Sequence, residues 1–221
     1  MLKDILENAQ TRLETTHTAQ TRVRDNDLFV KNLDKVLVAA NSLELYLNTA
    51  AAAEANRLMN VSLDAIIRND IITTLQMVLS QIYEGYLETA SVSSVSKNVA
   101  NFKKHLDSLW VSSQKSATEQ VVSLLKTFKQ FMPNEYEANN IINNLEKALT
   151  GLPASVNNVN AFSANLQKAR QMVEQIGADE ETQAFIQKVL DKQATLADIT
   201  PNVLAWIYKH DITRRLKISL V

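Results

Sequence analysis

The stretch VSKNVANFKKHLDSLWVSSQKSATEQVVSLLKTFKQF, Val95 to Phe131, decides the fold. Val95, Val99, Phe102, Leu106, Leu109, Ser113, Ala117, Val121, Leu124, Phe128 and Phe131 follow one another at intervals of three and four, and all but Ser113 are apolar. That periodicity marks one face of an α-helix. No Gly or Pro interrupts it, so it predicts a helix roughly 55 Å long at about 1.5 Å of rise per residue. Between Leu109 and Val121 the intervals are uniformly four, with alternation of four and three on either side. This is a coiled-coil-like heptad seam interrupted by a stutter. Phe102, Leu106, Leu109, Val121, Leu124 and Phe128 are therefore the candidate helix-packing interface, against a neighbouring helix of the same chain or another subunit.

The rest of the composition extends this reading. The chain has 221 residues with three Gly and three Pro, too few for the turns of a β-rich fold. An all-α, elongated bundle of six to eight helices with long antiparallel central helices is expected. Two parts are expected: a long-helix bundle over 1–132 and a smaller helical module over 134–221, with a single packed domain as the alternative.

Working outward, Leu2, Ile5, Leu6, Ala9 and Leu13 begin an amphipathic helix whose second half turns polar, with Asp25-Asn26-Asp27 as the expected break. A second helix carries Leu33, Leu37, Ala40, Leu43 and Leu47, and its small residues Ala50 to Ala55 permit a close crossing. Ser62 is the expected cap of a third helix bearing Leu63, Ile67, Ile71, Leu75, Val78, Ile82 and Tyr86, with Gly85 near its end. The run Ser91-Val92-Ser93-Ser94 is the expected connection to the long helix, which must stop before Pro133. Asn134 with Glu137, Ser155, Asp179, and Thr200 with Pro201 each have the form of a helix start; Gly151 and Gly177 have the form of stops. Leu216 to Leu220 alternates with period two, predicting a short β-strand or extended arm.

Catalytic chemistry finds little support. Glycines at 85, 151 and 177 only permit neither a dinucleotide fingerprint nor a phosphate loop nor a nucleophile elbow. Glu14 and His17 form one Glu-x-x-His element, but a di-metal bundle needs it twice, and neither His105 nor His210 supplies the second copy. No catalytic, cofactor or metal site is expected.

Charge is nearly balanced at −1 overall, yet residues 205–221 carry Lys209, Arg214, Arg215 and Lys217 against Asp211, a local net of +3. With Trp206 beside them, these cations are the candidate contact for a protein partner or for nucleic acid. Without cysteine, without a basic-then-apolar leader and without an uninterrupted apolar span, a cytoplasmic location and no membrane span are expected. The functional expectation is a non-catalytic helical interaction or scaffold protein, an accessory subunit of a larger assembly that binds a protein partner or forms a homo-oligomer. A nucleic-acid-associated factor is the alternative, and a helical toxin or membrane-active protein the third.

Overall fold

The computed structural model describes residues 2–61, 65–132, 134–213 and 216, and its described residues form helices and turns without a strand. The protein is all-α, as the periodicity predicts. In chain order the helices are α1 (Leu2–Ala55), α2 (Ala65–Tyr83), α3 (Thr89–Phe128), a 3₁₀ turn at Lys129–Phe131, α4 (Glu135–Ala148), α5 (Val156–Ile176), α6 (Glu180–Leu190), a second 3₁₀ turn at Leu196–Asp198, and α7 (Pro201–Lys209). Contacts group the chain into two compact units, Met1–Leu47 with Ser62–His105, and Asn48–Val61 with Leu106–Val221.

In the first unit, α2 and α3 run antiparallel: Gln81 donates to the Ser91 hydroxyl at 3.0 Å and Asn98 to the Thr74 hydroxyl at 2.7 Å. The core here is Val36 and Ala39 of α1, Val78 of α2, Leu87, and Val92, Val95 and Val99 of α3, with Phe29, Leu33, Leu43 and Tyr46 packed against it. The expected break at Asp25 to Asp27 is absent, because α1 continues through it. Asp and Asn cost only a few tenths of a kcal/mol each inside a helix, whereas stopping one takes Gly, Pro or a competing contact. The threonines that precede the cluster settle locally, Thr16, Thr18 and Thr21 each donating to the carbonyl four residues back.

The expected connection at Ser91 to Ser94 is also corrected. Those residues lie in the first turns of α3, where Ser93 and Ser94 donate to the carbonyls of Thr89 and Ala90. The true reversal is at Gly85, which sits at φ 80° beyond the end of α2. Tyr86 N–H reaches the Gln81 carbonyl at 3.0 Å and Gly85 N–H the Ile82 carbonyl at 3.1 Å. That paired geometry is a Schellman stop, for which a left-handed residue is required.

The second unit holds the predicted short helices with their predicted caps. Asn134, Ser155, Asp179 and Thr200 each accept a hydrogen bond from the backbone N–H three residues on, and Pro201 opens α7. Gly177 ends α5 in the left-handed region at φ 53°. The expected cap Ser62, and Leu63 after it, lie outside the described residues, as do Arg214, Arg215 and 217–220 of the expected strand. Leu216 N–H bonds to the Ile212 carbonyl at 3.2 Å.

Three further helix stops use the Schellman geometry without glycine. Arg57, Lys192 and Asp211 stand at φ 56°, 58° and 50°, each closing bonds of the same pattern, as in Leu58 N–H to the Ala53 carbonyl at 2.9 Å. A Cβ makes the left-handed region unfavourable, and glycine removes that penalty while adding some unfolded-state entropy. Arg57→Gly and Lys192→Gly are each expected to stabilise by about 0.5–1 kcal/mol, raising the melting midpoint by roughly 1–4 °C. Thermal melts of the single variants check this, and a fall in midpoint would show that the lost side chains carry contacts worth more than the strain.

Candidate functional site

The predicted interface of the long helix is only partly what lies buried. Phe102, Leu106 and Phe128 are core residues, but Leu109, Val121 and Leu124 are half-buried, and their neighbours Trp110, Val122 and Leu125 take the interior. Gln114 and Thr118 are buried, and Ser113, which was expected on the packing face, is exposed. From Leu106 to Val122 the buried face therefore advances by fours alone, and it returns to threes at Leu125 and Phe128.

The C-terminal candidates are divided. Trp206 is buried, its Nε1 donating to the Ile176 carbonyl at 2.6 Å and its ring set edge-on to Phe128 at 5.5 Å. Lys209 is exposed, and a side chain built at Gly177 would meet its ammonium at 3.7 Å. It thus lies across the end of α5, where a cation suits the carbonyl end of the helix dipole. Arg214, Arg215 and Lys217 lie outside the described residues.

Around Trp206 the second unit opens a cleft of about 460 Å³. Phe128, Phe131, Met132, Met172 and Ile176 give it an apolar floor, and Asn134, Gln171, Gln175 and the ion-paired Glu137 and Lys168 give it a polar rim. His210 closes one side, its ring 5.0 Å from that of Trp206. Its Nε2 is buried and has no hydrogen-bond partner among the described residues. No single sequence pattern announces this cleft, because its walls come from three separated segments. What the arrangement offers is a surface for an apolar group with a polar end. Among the described residues no cluster of three or more His, Asp or Glu side chains is arranged to hold a metal ion.

Burial disfavours the charged imidazolium, so the His210 pKa lies below its usual 6.5; the neighbouring Lys209 pushes the same way and the Ile176 carbonyl opposes. Below about pH 6.5 the unfolded chain therefore binds more protons than the folded one. Stability from this residue is complete above 6.5 and is lost as pH falls toward the lower folded-state value. Urea midpoints measured from pH 8 to 5 are expected to fall in the acid half for the wild type and to flatten there for His210→Phe. Equal slopes in the two proteins would overturn the assignment.

The first unit presents a different surface. On α1, the residues facing away from the core include Val23, Val30, Leu37, Val38 and Leu45, with Val23 62%, Leu37 52% and Val38 66% exposed. Val23, Val30 and Leu37 are spaced by sevens, so they stand in one row with Asp27 and Asp34 between them. On one side of this row a groove of about 430 Å³ runs between α1 and α3. Comparison with protein-family models, curated proteins and solved structures finds no match for the chain. Among the described residues no helix is long and apolar enough to cross a membrane.

Proposed function

We propose that the chain is a non-catalytic helical interaction protein, an accessory or scaffold subunit of a larger cytoplasmic assembly. The observation that carries this reading is the two-sidedness of α1. A helix that serves only its own core is apolar on one stripe and polar on the other. Here Phe29, Leu33, Val36, Ala39 and Leu43 serve the core, while Val23, Val30, Leu37, Val38 and Leu45 stand exposed on the opposite side. Single exposed aliphatics are ordinary, but five gathered on one side of one helix favour a partner. Asp27 and Asp34 within the row disfavour an anionic membrane as that partner.

Native mass spectrometry of the full chain purified from its host tests the reading. A stable complex with another protein is the expected result. A strictly monomeric chain, or one carrying only nucleic acid or lipid, overturns it.

A further inference from the structure

We infer that the groove between α1 and α3 in the first unit receives an amphipathic helix of a partner protein, with apolar residues on its inner face and acidic residues flanking them. This rests on the interaction role proposed above and names the site and the partner's chemistry. Three observations converge on it.

The first is shape. Val38, Ala39, Ser42 and Tyr46 of α1 face Ser96 and Ala100 of α3 across the groove. The two helices run parallel here, since Asn32 lies against Leu87 and Thr89 while residues 42–46 lie against 99–100. Small side chains at 39, 42, 96 and 100 leave the helices open to a third, whose larger residues pack between them. A three-helix unit with one open groove becomes a four-helix bundle when that groove is filled.

The second is the apolar crest. Val38 borders the groove and is 66% exposed, and Leu45 lies seven residues further along the same side of α1. Lodging another helix here covers both. A membrane surface does not reach them equally well, because the site is concave and bilayer insertion requires a projecting apolar face.

The third is charge. Arg24, Lys31 and Lys35 precede Val38 and Ser42 along one stripe of α1, at offsets of seven, four, three and four. The part of α3 from Thr89 to His105 carries Lys97, Lys103 and Lys104 and no carboxylate. Asp34 and Lys35 both line the groove; with Lys31 one turn before Lys35 on the same stripe and Lys97 next to Ser96, three cations stand against one carboxylate there. A basic border argues against a second copy of the same surface, which would bring lysine toward lysine, and for an acidic helix. The apolar floor argues against nucleic acid, whose phosphates have no use for Val38, Ala39 and Ala100.

Site-specific photo-cross-linking in the host tests the inference. The full chain carries p-benzoylphenylalanine at position 42 or 96, with position 23 on the outer row as the comparison, and the attached peptides are sequenced. Adducts at 42 and 96 are expected to map to one segment of one partner, net acidic and apolar at intervals of three and four. The double variant Lys35→Glu, Lys97→Glu should lose those adducts at least tenfold while keeping the thermal midpoint of the wild type. Adducts to the chain itself, to nucleic acid or lipid, or to a basic segment overturn the inference, as does insensitivity to the double charge reversal. A native complex that cross-links from position 23 but not from 42 or 96 removes the groove and leaves the interaction role standing. No complex and no adduct at any position removes both.

Discussion

Trp110→Ala is expected to destabilise the second unit by about 3–5 kcal/mol, and Trp110→Phe by about 1–2 kcal/mol. Trp110 is wholly buried, its ring set edge-on to Phe162 at 5.0 Å, and its Nε1 donates to the carbonyl of Ala148 at 2.7 Å. Ala148 is the last residue of α4, so the indole supplies a partner to one of the carbonyls that a helix leaves unpaired at its end. Alanine removes the volume and the donor together. Phenylalanine keeps most of the volume and removes only the donor, which separates the two contributions. Urea unfolding followed by circular dichroism gives the totals, and amide exchange in the last turn of α4 locates the loss. A neutral Trp110→Phe variant would mean that the indole acts only as filling and that Ala148 finds another partner.

The same device recurs, and it explains which parts of this fold are legible in the sequence. Trp206 donates to Ile176 at the end of α5, Gln114 to Leu58 just past α1, and Asp107 accepts from Leu152 N–H at 3.0 Å beyond α4. Each joins residues 30 to 56 positions apart, so no window of sequence contains both partners. Helix starts are different. Asn134, Ser155, Asp179 and Thr200 each act on a backbone group three residues away, and all four are readable because cause and effect lie in the same turn. Stops are readable where glycine marks them, as at Gly177, and hidden where Arg57, Lys192 and Asp211 adopt the same conformation under strain.

The face of α3 shows a second limit. Leu109 stands beside Trp110, Val121 beside Val122, and Leu124 beside Leu125. When apolar residues come in adjacent pairs, two rows about 100° apart satisfy the helical period equally well. Packing chooses between them, and here it favours the row containing Trp110 because that row delivers the indole to Ala148. The accompanying burial of Gln114 follows from its own duty at Leu58. Polar side chains read from sequence as surface are thus drawn inside where a chain reversal must be satisfied. For the candidate site the limit is stricter. The crest residue Val38 falls outside the helical face read from the sequence, and the groove exists only once α1 and α3 lie side by side.

Asn32→Ala is expected to cost the first unit about 1–3 kcal/mol, and Asn32→Asp more, on the order of 3–5 kcal/mol. Asn32 is fully buried on α1, and its Nδ2 donates to the Leu87 carbonyl at 2.9 Å and to the Thr89 hydroxyl at 3.3 Å. Leu87 lies in the reversal between α2 and α3, a segment also held by Gln81, which accepts from Glu88 N–H at 3.2 Å. The Asn32 Oδ1 has no partner among the described residues, so the worth of the side chain rests on its donor. Alanine leaves the Leu87 carbonyl buried and unpaired. Aspartate has nearly the same shape but sets a carboxylate against that carbonyl, so burial raises its pKa and acid restores part of the stability by protonating it. The expected pattern is faster amide exchange in α2 and in α3 up to His105 for both variants, with Asn32→Asp the worse at pH 7 and gaining on Asn32→Ala as pH falls. If Asn32→Asp matches the wild type, the buried amide is not what fixes the α2–α3 reversal to α1, and the parallel placement of α1 and α3 that forms the groove must come from the apolar core alone.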